Sequence, residues 1–463
     1  MLFNSAAFAV FFPVIFAIYW SLKGQSRRIA LLLGSYVFYS WLDWRCSGLL
    51  LLSTVVDYFC ALVIDAQRER RARRILIVVS VTLNLGLLAA FKYFNFFCDS
   101  AALLLESVGV PVHMPTLQIV LPAGISFYTF QTMSYTIDVY RGEKPERSFI
   151  DFALFVSCFP QLVAGPIVRA SDFLPQLKRD ARFEDVDFSS GVSLILRGLF
   201  KKMVVADTLS IYVDLVFGAP SEFHGLSAWI ALYAYAFQIY MDFSGYTDVA
   251  IGVGRLLGIE FTRNFDRPYL ATSPSEFWRR WHITLSTWLR DYLYIPLGGS
   301  RGGSLLTVRN LFITMLLGGL WHGAAWTFVA WGAYHAILLS LERPFRAIAG
   351  ARTNDPFPLR VLKTLAMFHL ICIGWLLFRA PNWDTVMVLG ANLFDFSSPH
   401  VRGLRILFLV LLCAAAHALP DAKRLADGFR RLPALGQGAF AAVTMWVLLL
   451  TSPGVKPFIY FQF

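Results

Sequence analysis

Apolar runs long enough to cross a bilayer recur from one end of this chain to the other, and they leave it few ways to fold. A helix spanning the hydrocarbon core needs about twenty mostly apolar residues. Backbone at that depth has no water to bond, so only helices or closed barrels can cross. Runs of the required size fall near 5–22, 29–45, 48–66, 75–97, 117–138, 150–166, 190–217, 226–243, 306–322, 324–341, 361–378, 404–420 and 434–451. Only 15% of the residues are charged, against roughly 25% in a soluble protein. Pro122 and Gly124 interrupt one run, and Pro160, Gly165 and Pro166 another. Such breaks are tolerated at membrane depth only where they line a protein-enclosed cavity. The expected fold class is therefore all-α: a polytopic integral membrane protein with about ten or eleven spans plus re-entrant and interfacial helices. The first charge is Lys23, so 5–22 reads as a first span rather than a cleaved signal. No internal repeat or low-complexity tract is apparent. Residues 1–463 read as one membrane domain, most diagnostic over 117–341.

The net charge of +11 sits mainly in short loops. That is the positive-inside pattern of a membrane protein, and it argues against a nucleic-acid partner. Lys23, Arg27 and Arg28 form one basic loop, and Arg68, Arg70, Arg71, Arg73 and Arg74 another. Lys178 and Arg179 mark a third, with Lys201 and Lys202 a little beyond. Arg343, Arg346 and Arg352, then Lys423, Arg424, Arg430 and Arg431, complete the set. Their spacing is consistent with all facing the cytoplasm and both chain ends lying outside. The six cysteines form no C-x-x-C pair and read as small packing residues.

Polar residues concentrate between about 238 and 335. Asp242 and Asp248 flank Ser244, Gly245 and Tyr246. Acids beside an apolar span need partners; they form either a polar lining that meets a ligand or a hydrogen-bond cluster holding a broken helix. Ser273 or Thr272 before Pro274, with Glu276 beyond, signals a helix start. The helix is expected over about 274–293, amphipathic and interfacial, with Trp278, His282 and Leu285 on one face and Arg279, Arg280 and Arg290 at the surface. The loop Gly298-Gly299-Ser300-Arg301-Gly302-Gly303 is either a turn or a backbone approach to phosphate; it lacks nucleotide-motif spacing. Trp321-His322-Gly323 then sets an imidazole inside an apolar run. Desolvation disfavours the cation, and a neutral imidazole is what a general base must be. Taken alone, His282 and His322 are each open to a structural or a catalytic reading. His335, His369 and His417 read as packed, hydrogen-bonded histidines. No H-E-x-x-H or comparable spacing suggests a metal site.

The runs LPAGISFYTFQTMSYTIDVYRG, FPQLVAGPIVR, YMDFSGYTDVAIGVGRLLG, NFDRPYL, EFWRRWHITLSTWLRDYLYIPLGGSRGG and RNLFITMLLGGLWHGAAWTFVAWGAYHA resemble the membrane-bound O-acyltransferase family, and most closely its bacterial alginate O-acetyltransferase branch. The resemblance extends to the FIYFQF ending. It implies many helices around a tunnel through the inner membrane, with a cytoplasmic acyl donor and an acceptor arriving from the other side. His322 takes the place of the family's histidine in W-H-G, and His282 that of the second histidine in R-R-W-H. The expected activity is O-acetyl transfer, with acetyl-CoA as donor substrate and no permanently bound cofactor.

On this reading His322 is the base that activates the attacking hydroxyl, and His282 orients the donor or stabilises the oxyanion. Trp321, Asp242, Ser244, Tyr246, Trp278, Arg279, Arg280 and Arg301 are candidates for contacting the donor or lining the tunnel. The acceptor is expected to be an exported polysaccharide such as alginate, served directly or through a periplasmic SGNH-hydrolase-like acetyltransferase and an export or synthesis complex. Cellulose, another envelope polymer, and D-alanyl transfer to teichoic acid are alternatives. A transporter or a non-catalytic export subunit is the rival class; a transporter predicts internal repeats.

Overall fold

The structure is a computed structural model that describes every residue except 42, 111, 113–114, 118–120, 163–164, 180, 350–354, 399, 420–432, 434–435, 437, 440–441, 444–455 and 462–463. All regular structure among the described residues is helical. The chain forms two compact units, one of residues 1–192 with 250–262 and one of 193–249 with 263–463.

The first unit holds α1 (Ala6–Ser21), α2 (Gly24–Ser40), α3 (Arg45–Ala66) and α4 (Arg70–Leu88). A π-helical turn at Ala89–Tyr93 carries α4 into α5 (Phe94–Ser107); α6 (Ile125–Arg141), α7 (Phe149–Ser157), α8 (Phe159–Leu162) and α9 (Ala170–Leu177) follow, and α10 (Phe188–Leu199) begins there. Ser5 caps α1 by accepting the Phe8 N–H. Gly34 lets α2 close on α1, since a Cβ there would lie 2.6 Å from Ile15 Cδ1. Polar side chains tie α3, α4 and α6 together. The buried Asp57 carboxylate accepts from Ser80, from Asn84 Nδ2 at 2.8 Å and from Thr136 Oγ1 at 3.2 Å. Such bonds hold helices together where lipid supplies no hydrophobic drive. The expected break near Pro160 is present as the α7–α8 interruption.

The second unit continues α10 through a π-helical turn at Phe200–Ala206 into α11 (Asp207–Gly218). It contains α12 (Leu226–Leu256) up to Val249, α13 (Pro274–Arg280), α14 (Ile283–Leu289) and a π-helical turn at Arg290–Tyr294. Then come α15 (Ser304–His322), α16 (Trp326–Ala349), α17 (Phe357–Arg379), α18 (Trp383–Asn392) and α19 (Leu404–Ala418). Glycines bring α15 and α16 into backbone contact. A Cβ on Gly319 would lie 2.2 Å from the Phe328 carbonyl oxygen, and one on Gly332 2.3 Å from that of Met315.

Among the described residues, four helices are long and apolar enough to cross a membrane: Arg45–Ala66, Arg70–Ser107, Ser304–His322 and Phe357–Arg379. Ala6–Ser21 and Leu404–Ala418 are shorter and apolar. The run at 434–451 lies mostly outside the described residues, and Lys423, Arg424, Arg430 and Arg431 lie outside them.

Two expectations are corrected. The helix over 274–293 is broken: α13 ends at Arg280 and α14 starts at Ile283, with His282 left-handed between them at φ 41°. Trp278, His282 and Leu285 therefore do not share one helical face. Lys201 and Lys202 do not extend a basic loop. They sit on the π-helical turn, and Lys202 is 2% exposed.

Candidate active site

His322 is the last residue of α15. The helix stops because Gly323 turns extended, at φ −162° and ψ 154°. A Cβ there would lie 2.1 Å from Phe328 Cε2, so only glycine lets the chain turn back into α16 against that ring. The imidazole is buried in an aromatic box. Ring centroids lie 5.0 Å away for Trp321, 5.0 Å for Trp331, 5.1 Å for Phe378 and 5.5 Å for Tyr460.

His282 approaches the same box. Its ring is fully buried, edge-on to Phe243 at 4.7 Å and to Trp321 at 6.1 Å. Trp321 thus touches both imidazoles. A non-glycine residue at positive φ is strained and persists only where its surroundings fix it. Asn264 does so here: its carbonyl accepts Ile283 N–H at 2.9 Å, and its Oδ1 accepts Thr284 N–H at 3.1 Å and Thr284 Oγ1 at 2.8 Å. Burial lowers the His282 pKa well below the ordinary histidine value, so the ring is neutral at pH 7.

The floor of the site is α12. A Cβ on Gly245 would stand 2.7 Å from the Gly198 carbonyl oxygen, so glycines at both positions let α10 and α12 cross closely. That crossing, with the adjoining π turn, aims two lysines at α12. Lys202 Nζ donates to Asp242 at 2.6 Å and to Asp207 at 2.9 Å, forming a buried ion triad. Asp248 receives Arg197 at 2.7 Å and Lys201 at 2.7 Å; Lys201 also reaches Ser244 Oγ at 3.3 Å. Both carboxylates are thus bonded within the fold.

The end of the described chain closes the box. Phe458 and Ile459 are buried, and Phe458 lies 4.5 Å from the Tyr246 ring and 5.4 Å from that of Phe243. Tyr460 lies 4.6 Å from Phe243. Lys202 Nζ donates to the Pro457 carbonyl at 3.1 Å, and Lys456 Nζ to Ser210 Oγ at 2.7 Å. Phe458 and Ile459 of the ending are thus part of the unit's interior.

The structure therefore brings together His322, His282 and Trp321, with Asp242 and Tyr246 one layer below. The remaining candidates stand apart from the imidazoles. Trp278 packs on Trp331 and His335 at 5.7 and 5.2 Å. Arg280 pairs with Glu276 at 2.8 Å and donates to the Asp266 carbonyl. Arg279 is exposed, 3.4 Å from Ser275 Oγ. Ser273 is the N-cap of α13, and the Glu276 carboxylate closes the cap by accepting from Thr272. Burial opposes ionisation of Glu276, but the Thr272 and Arg280 bonds outweigh it and hold its pKa below the usual value. Arg301 lies in an exposed turn, which Asn310 Nδ2 anchors at the Gly299 carbonyl. His369 bonds Tyr233 and the Leu365 carbonyl, and His417 accepts Tyr269 N–H. Among the described residues no group of three His, Cys, Asp or Glu side chains is arranged to hold a metal.

Trp331, Phe378, Tyr460, Phe243, Lys202, Asp207 and Asn264 carry no sequence signal that assigns them to the site. The second tryptophan of WTFVAW, one α16 turn and a half beyond Trp326, and the aromatic FIYFQF ending are the nearest to one.

Residues 82–378 match the model of the membrane-bound O-acyltransferase family. The chain belongs to that family. It is 44% identical over 426 residues to a probable alginate O-acetylase of Pseudomonas aeruginosa, covering 89% of this chain and 80% of the relative. To a probable alginate O-acetylase of Pseudomonas putida it is 39% identical over 496 aligned positions, which cover 100% of each chain. A peptidoglycan O-acetyltransferase of Helicobacter pylori is 37% identical over 84% of this chain and 78% of its own length. As a member of the membrane-bound O-acyltransferase family the protein is an O-acyltransferase and a multi-pass membrane protein.

Proposed function

We propose that this membrane-bound O-acyltransferase moves acetyl groups from cytoplasmic acetyl-CoA across the bacterial inner membrane for O-acetylation of an exported polysaccharide, with alginate the leading acceptor. The single observation that carries the reading is that the buried imidazoles of His322 and His282 both pack on Trp321 within one aromatic box. His322 takes the proton of the attacking hydroxyl as the oxygen bonds the acetyl carbon. The thioester C–S bond then breaks, and the thiolate leaves and is protonated. His282, neutral, has one N–H to offer the oxyanion. About ten or eleven spans around a tunnel would let donor and acceptor approach from opposite faces. Delivery through a separate SGNH-hydrolase-like acetyltransferase in the periplasm belongs to the same reading. The names of the Pseudomonas relatives support alginate; the Helicobacter relative favours peptidoglycan as the second acceptor to test.

The test is His322→Ala in cells that make the acetylated polymer, with membrane insertion verified. Acetyl content of the polymer is expected to fall roughly 10²–10⁴-fold, the range for loss of a general base. Unchanged acetylation would show that the chain is a transporter or an export subunit instead.

A further inference from the structure

The first unit contains a cavity of about 380 Å³ that the acyl-transfer reading does not use. Five of its lining residues are cations, Lys23, Arg27, Arg28, Lys178 and Arg179, and none is acidic. Two of the five are neutralised from outside the lining: Arg28 Nη1 meets Asp151 at 3.0 Å and Lys178 Nζ meets Glu146 at 2.7 Å. Lys23, Arg27 and Arg179 have no carboxylate partner among the described residues. Arg27 is also held rigidly. Its Nε donates to the Leu22 carbonyl at 2.8 Å and Nη1 to that of Ala181 at 2.7 Å, while its guanidinium stacks on Tyr19 and Trp20 at 5.2 and 4.8 Å. A buried guanidinium fixed in this way costs desolvation that the fold recovers only in part from two carbonyls. Gly24 brings the first turn of α2 to the same wall, adding the positive end of a 17-residue helix.

The surroundings say which anion fits. Val14 and Ile18 of α1 and Ile29 and Leu33 of α2 are exposed and apolar. Phe183 and Phe188, also exposed, pack with Phe16 and Trp20 into an aromatic cluster. Tyr19 and Trp20, the residue types of an interfacial belt, pack together beside these apolar helix faces and mark the membrane interface. A basic pocket between helices at that level, on the side the positive-inside pattern assigns to the cytoplasm, is suited to a lipid headgroup. We propose that this cavity binds the phosphate of an anionic phospholipid, with the acyl chains lying along α1 and α2.

The experiment uses the full chain in detergent, exchanged against phosphatidylglycerol or phosphatidylcholine and examined by native mass spectrometry. Phosphatidylglycerol is expected to be retained preferentially. Lys23→Gln with Arg179→Gln should weaken that retention roughly 30-fold, from the usual contribution of a cation near an anionic surface. Lys23→Arg with Arg179→Lys should keep it. Equal retention of the two lipids, or an unchanged glutamine variant, would overturn the proposal. So would displacement by inorganic phosphate at matched concentration, which would assign the cavity to a soluble phosphate. Equal loss in the conservative variant would overturn it too, because charge would then not be what binds.

Discussion

The two imidazoles reach the site by different means. His322 rides at the end of a regular helix, so its position follows from α15 and from the glycine after it. His282 is placed by a left-handed backbone that nothing in R-R-W-H announces. The sequence gives both histidines as candidates, because ionisable groups in or beside apolar runs are costly. It cannot give the break between α13 and α14, because that break depends on Asn264, eighteen residues upstream. Asn264→Ala is therefore expected to cost about 1–2 kcal/mol, as loss of a helix cap does, and to lower kcat while both imidazoles remain. Asn264→Asp, which can still accept from Thr284, should restore both the thermal midpoint and kcat. If Asn264→Ala lowers the midpoint with kcat intact, Asn264 is structural only and does not position His282.

Among elements, the α15–α16 hairpin carries the catalytic proposal, and its glycines are not equivalent. Added Cβ atoms at Gly319 and Gly332 would meet backbone carbonyl oxygens at 2.2 and 2.3 Å, which cannot move without parting the helices. At Gly318 an added Cβ would meet, among the described residues, the Leu289 side chain alone, at 3.2 Å. Gly319→Ala and Gly332→Ala are each expected to cost about 1–3 kcal/mol by overpacking and to lower activity, since Trp331 would shift away from His322. Gly318→Ala should be tolerated. Thermal unfolding in detergent with acetylation of the polymer separates the cases; equal effects at 318 and 319 would contradict the backbone-contact argument. The helical runs themselves are legible, because apolar length is a one-dimensional property. The π-helical turns at Phe200–Ala206 and Arg290–Tyr294 are not. The first depends on glycine-to-glycine crossing of α10 and α12, which turns two apparent loop lysines into partners of acids, buried Lys202 of Asp242 and half-buried Lys201 of Asp248.

At the scale of the whole chain, the acids of YMDFSGYTD, the lysines after α10 and residues 458–460 lie far apart in sequence and meet in one layer beneath the imidazoles. That convergence is why the ending could be recognised as part of a family pattern without its place in the site being readable. Residues 456–460 cover the Lys202–Asp242–Asp207 triad and supply Tyr460 as one wall around His322. A buried ion group is tolerated only while it stays dry and fully bonded. Deleting 456–463 would remove the Pro457 carbonyl from Lys202 and uncover α12 where Phe458 and Ile459 now lie, at about 1.5–3 kcal/mol for each buried side chain. The truncated protein is expected to insert, to lose roughly 3–6 kcal/mol of stability and to lose polymer acetylation. Tyr460→Phe, which keeps the ring against His322 and Phe243, should retain most of the activity. An inactive Tyr460→Phe of normal thermal midpoint would place the phenol hydroxyl in the reaction itself. A fully active truncation would show that the segment only covers the site, and that His322 works without its fourth wall.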